Sequence, residues 1–169
     1  VRRFDLALDS ALVQILEDWH VLHVVGDAVA AAEHRAHGLP AELRGRYHAF
    51  PFLADGAMER ALVAADVLLG RSGASTVAEA SIAGLPSILV PYPFAGGHQR
   101  ANAEALAAAG GATLIDDQAF NEATLRAALV PLVDAATRAR IGAAAVGLAR
   151  PDAADVIARM LTDLGGRRG

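Results

Sequence analysis

The 169-residue chain predicts an α/β fold, a parallel sheet with helices on both faces, and three observations carry that expectation. Apolar runs of strand length alternate with amphipathic segments of helical length from end to end. The stretch from Ser87 to Pro91 is an unbroken apolar run, the pattern of a central strand covered on both sides. No linker rich in Pro, Gly or Ser divides the sequence, so residues 1–169 read as a single domain, large enough to bury roughly 70% of its unfolded surface.

The elements follow in order. Phe4 to Glu17 has helical spacing, with Leu6, Leu8, Leu12, Ile15 and Leu16 on its apolar face. Trp19 to Val25 reads as a buried strand ending at Gly26. Helical segments over Asp27 to His37 and Ala41 to Arg44 precede a strand from Tyr47 to Phe52. Ala57 to Ala65 is helical and Val67 to Leu69 a strand. The next helix spans Ala74 to Ala83 and stops at Gly84, two residues before Pro86. After the central strand, Tyr92 to Gly97 forms a loop containing Pro and Gly. Gln99 to Ala109 is a helix ended by Gly110-Gly111, and Ala112 to Ile115 is the last strand. Asn121 caps a helix running to Val133, and helices over Thr137 to Leu148 and Ala153 to Leu164 complete the chain.

Composition narrows the function classes. The net charge of −4, with both signs interspersed, supplies no basic footprint for nucleic acid. There is no cysteine, which removes disulfides and thiolate metal sites and fits a reducing compartment. Asp5 and Asp9 stand where a signal peptide needs its apolar stretch, and charges interrupt every apolar run before spanning length, so a soluble chain is expected. Arg167 and Arg168, between glycines, read as a tail. His34 and His37 share a helical face but lack a matched third ligand, and His20 and His23 point to opposite sides of a strand, so no metal site is expected.

The chemistry concentrates in Arg71-Ser72-Gly73-Ala74-Ser75-Thr76-Val77-Ala78-Glu79, which joins a strand to a helix through small residues. Gly73 and Ala74 remove bulk where backbone N–H groups can approach an anion, and a helix N-terminus attracts phosphate through unpartnered N–H groups and its macrodipole. Glu79, one turn past Thr76, can accept hydrogen bonds from two vicinal ribose hydroxyls. Thr76-Val77-Ala78-Glu79 also fits a capping box, and local pattern leaves both readings open. The segment is not a nucleophile elbow, because Val77 stands where the second Gly is required, and it is neither a Walker A loop nor a G-x-G-x-x-G fingerprint. His98 and Gln99 follow two glycines at a helix start, with Asn102 one turn on; a Gln amide donates and accepts, as adjacent sugar hydroxyls require. A solvated polar helix start explains these three equally well when they are taken alone. Both segments lie at carboxyl ends of strands, the ligand-binding edge of parallel α/β sheets.

Three ordered blocks carry a resemblance: the Arg71 to Glu79 series, then Ala83-Gly84-Leu85-Pro86-Ser87-Ile88-Leu89-Val90-Pro91, then His98-Gln99-Arg100-Ala101-Asn102-Ala103. Together they resemble the C-terminal domain of the MurG family, glycosyltransferase family 28, over nearly the whole chain. The resemblance implies the C-terminal, Rossmann-like half of a GT-B fold that binds UDP-GlcNAc. It implies an enzyme that transfers GlcNAc, with inversion, to lipid I (undecaprenyl-pyrophosphoryl-MurNAc-pentapeptide) in peptidoglycan synthesis at the cytoplasmic face of the membrane. Glu79 would hold the ribose, and Ser72, Gly73, Ala74, Ser75 and Thr76 would lie against the diphosphate. His98, Gln99 and, beside them, Asn102 would contact the sugar, and Phe52 and Leu53 would lie against uracil. The family habit implies no required cofactor or metal, in keeping with the absence of an Asp-x-Asp motif.

The sequence also departs from the family. Ala54 to Met58 is slightly longer than the pattern, and Gly96-Gly97 stands where members often carry polar residues. The chain begins beyond the first strand and the Gly-Gly-Ser loop of the family's domain. That strand is expected between Trp19–Val25 and Val67–Leu69, supplied by another segment or chain, and catalytic and acceptor-binding groups are expected in an N-terminal half. The alternatives are the donor-binding subunit of a two-component N-acetylglucosaminyltransferase with a separate membrane-anchored partner, a UDP-sugar-binding module without transfer activity, and a UDP-GlcNAc 2-epimerase.

Overall fold

The computed structural model describes residues 2–94 and 96–166; the Arg167-Arg168 pair lies outside the described residues. The elements are α1 (Arg2–Asp18), β1 (Val21–Val24), α2 (Val29–Gly38), β2 (Tyr47–Phe50), α3 (Ala57–Ala64), β3 (Leu68–Gly70), α4 (Ala74–Ala83), β4 (Ser87–Leu89), α5 (His98–Ala108), β5 (Ala112–Leu114), α6 (Glu122–Leu129), α7 (Ala135–Val146) and α8 (Ala153–Gly166). Every strand pairing is parallel, and the helices and strands alternate as expected.

The strands form two sheets rather than one. β1 pairs with β2, while β3, β4 and β5 pair in that order, and no ladder joins β1 to β3 among the described residues. One hydrophobic core nevertheless serves both: Leu12 and Leu16 of α1 gather Val21, Tyr47, Leu69, Ile88 and Ile115 from all five strand regions. A smaller cluster on the opposite side of β4 joins Leu89 to Ala103 and Leu106 of α5 and Ala145 of α7. Ile88 and Leu89 therefore face opposite layers, as successive residues of a doubly covered strand must.

Several boundaries and burials differ from the sequence expectation. Ala41 to Arg44 is not a helix but a turn leading into a 3₁₀ segment at Arg44–Arg46, too short to repeat a helical hydrogen bond. The segment expected to be helical up to Val133 ends at Leu129 and tightens to 3₁₀ geometry over Val130–Val133, because Pro131 has no N–H to continue the ladder. Leu6 is exposed; Ala7 and Ala11 join Leu8, Leu12, Ile15 and Leu16 on the buried face of α1. β1 is not a buried strand: Leu22 is 49% exposed and Val24 38%.

Other local signals act as expected. Asn121 accepts from the Thr124 N–H at 3.2 Å while the Thr124 hydroxyl accepts from the Asn121 N–H at 3.0 Å, a reciprocal cap. Gly84 closes α4 in the left-handed region, φ 63°. Gly84 also meets α7: a Cβ built on Gly142 would lie 2.3 Å from the Gly84 carbonyl oxygen, so the two backbones touch.

Candidate ligand-binding site

The turn after β3 is organised by side chains from distant segments. Arg71 donates through Nη1 to the carbonyls of Val90 (3.1 Å) and Pro91 (3.2 Å) and to Asp117 Oδ1 at 2.6 Å. Its guanidinium carbon lies 4.6 Å from the centre of the Phe4 ring and 5.3 Å from that of Tyr92. Ser72, completely buried, donates its hydroxyl to the Gln99 carbonyl at 2.7 Å, and Asn102 Nδ2 donates to the Ser72 carbonyl at 3.1 Å. Gln99 Oε1 accepts from the Tyr92 N–H at 2.9 Å. The start of α5 is thus clasped to the turn that starts α4.

Gly73 is the N-cap of α4, with no side-chain cap, and Thr76 occupies the third helical position. The capping-box reading of Thr76 and Glu79 is therefore wrong: Thr76 lies inside the helix, not at its cap. The first N–H groups of α4 have no side-chain acceptor, and Ala74 and Ser75 beside them are exposed. Glu79 is exposed on the second turn and has no hydrogen bond or ion pair among the described residues. Two cations at this edge are committed to carboxylates, Arg71 to Asp117 and Arg100 to Asp116 and Glu104. Among the described side chains, what the turn offers a ligand is backbone dipole and hydroxyl.

At the α5 end, Gly96 (φ 59°) and Gly97 (φ 81°) adopt left-handed backbone that side chains rarely permit. The His98 ring lies back over Gly96. His98 is exposed and Gln99 half-buried. The structure therefore brings Ser72, Gln99 and Asn102 into one cluster beside Gly73, Ala74, Ser75 and Thr76. Phe52 and Leu53, beyond β2, are not tied to that cluster by any hydrogen bond or ring contact among the described residues. Phe52 is 72% exposed.

Sequence reasoning missed two features. Ser72 and Asn102 spend polar atoms on bracing the turn, a role invisible at separations of 27 and 30 residues. Asp117, paired with Arg71 across 46 residues, went unnoticed, although its place just after the last strand was a usable signal. A concavity of about 660 Å³ between α1 and α6, lined by Leu6, Phe120 and Arg126, includes none of the residues of this turn.

The class so defined is a parallel α/β domain with an anion-receptive helix tip and a clasped amide-bearing loop at the carboxyl ends of its strands. The chain belongs to the glycosyltransferase family 28 C-terminal domain family, whose model matches residues 5–157. A relative from Corynebacterium glutamicum (strain R), the UDP-N-acetylglucosamine–N-acetylmuramyl-(pentapeptide) pyrophosphoryl-undecaprenol N-acetylglucosamine transferase, is 40% identical over 92% of this chain. The enzyme of the same name from Rhodospirillum centenum is 48% identical over 62% of it. The crystal structure of Acinetobacter baumannii MurG superposes with a TM-score of 0.82 at 28% identity, over 95% of this chain and 46% of that one. The chain spans about two fifths of the length of the Corynebacterium relative.

Proposed function

We propose that the chain is the donor-binding half of an inverting glycosyltransferase that moves GlcNAc from UDP-GlcNAc to lipid I at the cytoplasmic face of the cell membrane. The observation that carries the reading is the open N-terminus of α4 clasped to α5 through Ser72, Gln99 and Asn102. In this reading the diphosphate lies at the α4 tip against Gly73, Ala74, Ser75 and Thr76, the ribose on Glu79, and the sugar against His98 and Gln99. Phe52 and Leu53 border the uracil. As the C1–O bond breaks, negative charge grows on UDP, and the fixed dipole of α4 stabilises it in the transition state more than in the ground state. No metal or other cofactor is required by this scheme, so a chelator should leave donor binding unchanged.

The acceptor hydroxyl attacks C1 from the opposite face, assisted by a base from the N-terminal half of the longer enzyme. The strands support a further element of the reading. Among the described residues β1 pairs with β2 alone and β3 with β4 alone, so each has an open edge, which supports the reading that one more parallel strand comes from another segment or chain. No helix among the described residues is long and apolar enough to cross a membrane. The apolar face of α8, with Ile157, Met160, Leu161 and Leu164 exposed, also suits a two-component arrangement, which co-purification with a membrane protein would favour.

Calorimetric titration with UDP-GlcNAc, UDP-GalNAc and UDP-glucose tests the site. Binding is expected for the first above the others. Glu79→Ala should lose a charge-assisted hydrogen bond worth about 1.5–3 kcal/mol, roughly ten- to a hundredfold in UDP affinity. Its melting temperature should stay unchanged, since Glu79 caps nothing. Unchanged UDP binding in that variant would remove Glu79 from the site.

A further inference from the structure

We infer that Asp117 is a positioning residue for the sugar end of the ligand, acting through Arg71 and Tyr92 on Gln99; the inference rests on the donor-binding reading above. Each link is a contact in the structure. Asp117 Oδ1 holds Arg71 Nη1 at 2.6 Å, and the pair is largely shielded, with side chains 13% and 25% exposed. The same Nη1 reaches the Val90 and Pro91 carbonyls, so the carboxylate fixes the guanidinium across the ends of β3 and β4. Tyr92 rests its ring on that guanidinium. The Tyr92 N–H in turn donates to Gln99 Oε1 at 2.9 Å.

The last link decides the chemistry. With Oε1 occupied, Gln99 keeps its Nε2 protons for a ligand and has no intramolecular acceptor for them among the described residues. Gln99 is therefore presented as a donor, suited to sugar hydroxyl oxygens. Without the Asp117 charge, Arg71 keeps the Val90 and Pro91 carbonyls but is no longer fixed in orientation, and Tyr92 loses its support. The sugar contribution to binding should fall while the UDP contribution is kept.

The experiment compares UDP and UDP-GlcNAc affinities by calorimetry in the 169-residue chain, its Asp117→Asn and Asp117→Glu variants, and Tyr92→Leu, whose exposed side chain makes it tolerable to the fold. Asp117→Asn should leave UDP affinity within about twofold and reduce the ratio of UDP-GlcNAc to UDP affinity by about fivefold, the loss of one oriented hydrogen bond. Asp117→Glu should recover part of the ratio, and Tyr92→Leu should reproduce the Asn phenotype. Equal loss for both ligands, or an unchanged ratio in Asp117→Asn and Tyr92→Leu, overturns the inference and leaves the donor-binding reading standing. A wild-type chain that binds no UDP overturns the donor-binding reading itself.

Discussion

The two sheets are built from the same kind of strand and have opposite fates. β4, flanked by β3 and β5, is wholly buried, with one face in each hydrophobic cluster. β1, which among the described residues pairs with β2 alone, leaves Leu22 and Val24 substantially exposed. The difference teaches that apolarity makes a strand suitable for burial, whereas its neighbours decide whether burial is reached. The binding edge inherits the same division. Ser72, Gln99 and Asn102 sit beyond the three-stranded sheet and are braced together, while Phe52 projects beyond the two-stranded one without a brace.

The widest gap between the halves should appear in urea denaturation. Ile88→Ala, at a fully buried position, is expected to cost about 2–5 kcal/mol, against less than about 1 kcal/mol for Leu22→Ala. Similar costs would erase the distinction. Ligand binding should split next. Phe52→Ala is expected to weaken UDP binding less than Glu79→Ala does, and a larger loss would mean that the exposed half already holds the base firmly.

Backbone approach gives a third contrast. Gly142→Ala forces a methyl to 2.3 Å from the Gly84 oxygen and should destabilise by about 1–3 kcal/mol, whereas Gly45→Ala, with nothing within 4 Å, should change stability by no more than about 0.5 kcal/mol.

The smallest effect is a pH dependence confined to the two-stranded half. His23 Nδ1 lies 3.0 Å from the Tyr47 hydroxyl, which also accepts from Arg35 Nη1 at 3.1 Å. Burial, and then the Arg35 charge, lower the His23 pKa below its ordinary 6.5, outweighing Asp5 and Asp9, which raise it. The unfolded chain then binds a proton that the folded chain resists. Its contribution to stability is complete above about pH 6.5 and is lost as pH falls through the lowered folded value. Thermal melts from pH 7.5 to 5 should show a shallower decline in His23→Gln than in the wild type.

Local chemistry made much of this legible. Ala74–Ala83 was bounded by small residues at one end and a left-handed Gly84 at the other, and its limits match the observed helix. The carboxyl-edge placement of Ser72 and Gln99 followed from strand–helix alternation, and their direct contact supports that logic. Pairwise facts were not legible. Nothing near Leu22 signals that β1 pairs with β2 alone among the described residues, because pairing is settled by segments distant in sequence. Nor does the sequence around Arg71 reveal that Asp117 neutralises it, since the contact closes only when β3 and β5 have taken their places on either side of β4.

The touching backbones of Gly84 and Gly142 give the binding edge a mechanical character. From Gly142, α7 leads to Arg138, whose Nε reaches Asp66 Oδ1 at 3.3 Å, and Asp66 stands just ahead of β3. β3 runs into the Ser72 turn, the turn into α4, and α4 returns to Gly84. Load applied at the helix tip by an arriving anion travels around a closed ring of rigid members and comes back to its origin. A tilt of α4 would have to deform every member of that ring at once, so ligand arrival is expected to stiffen this region rather than swing it.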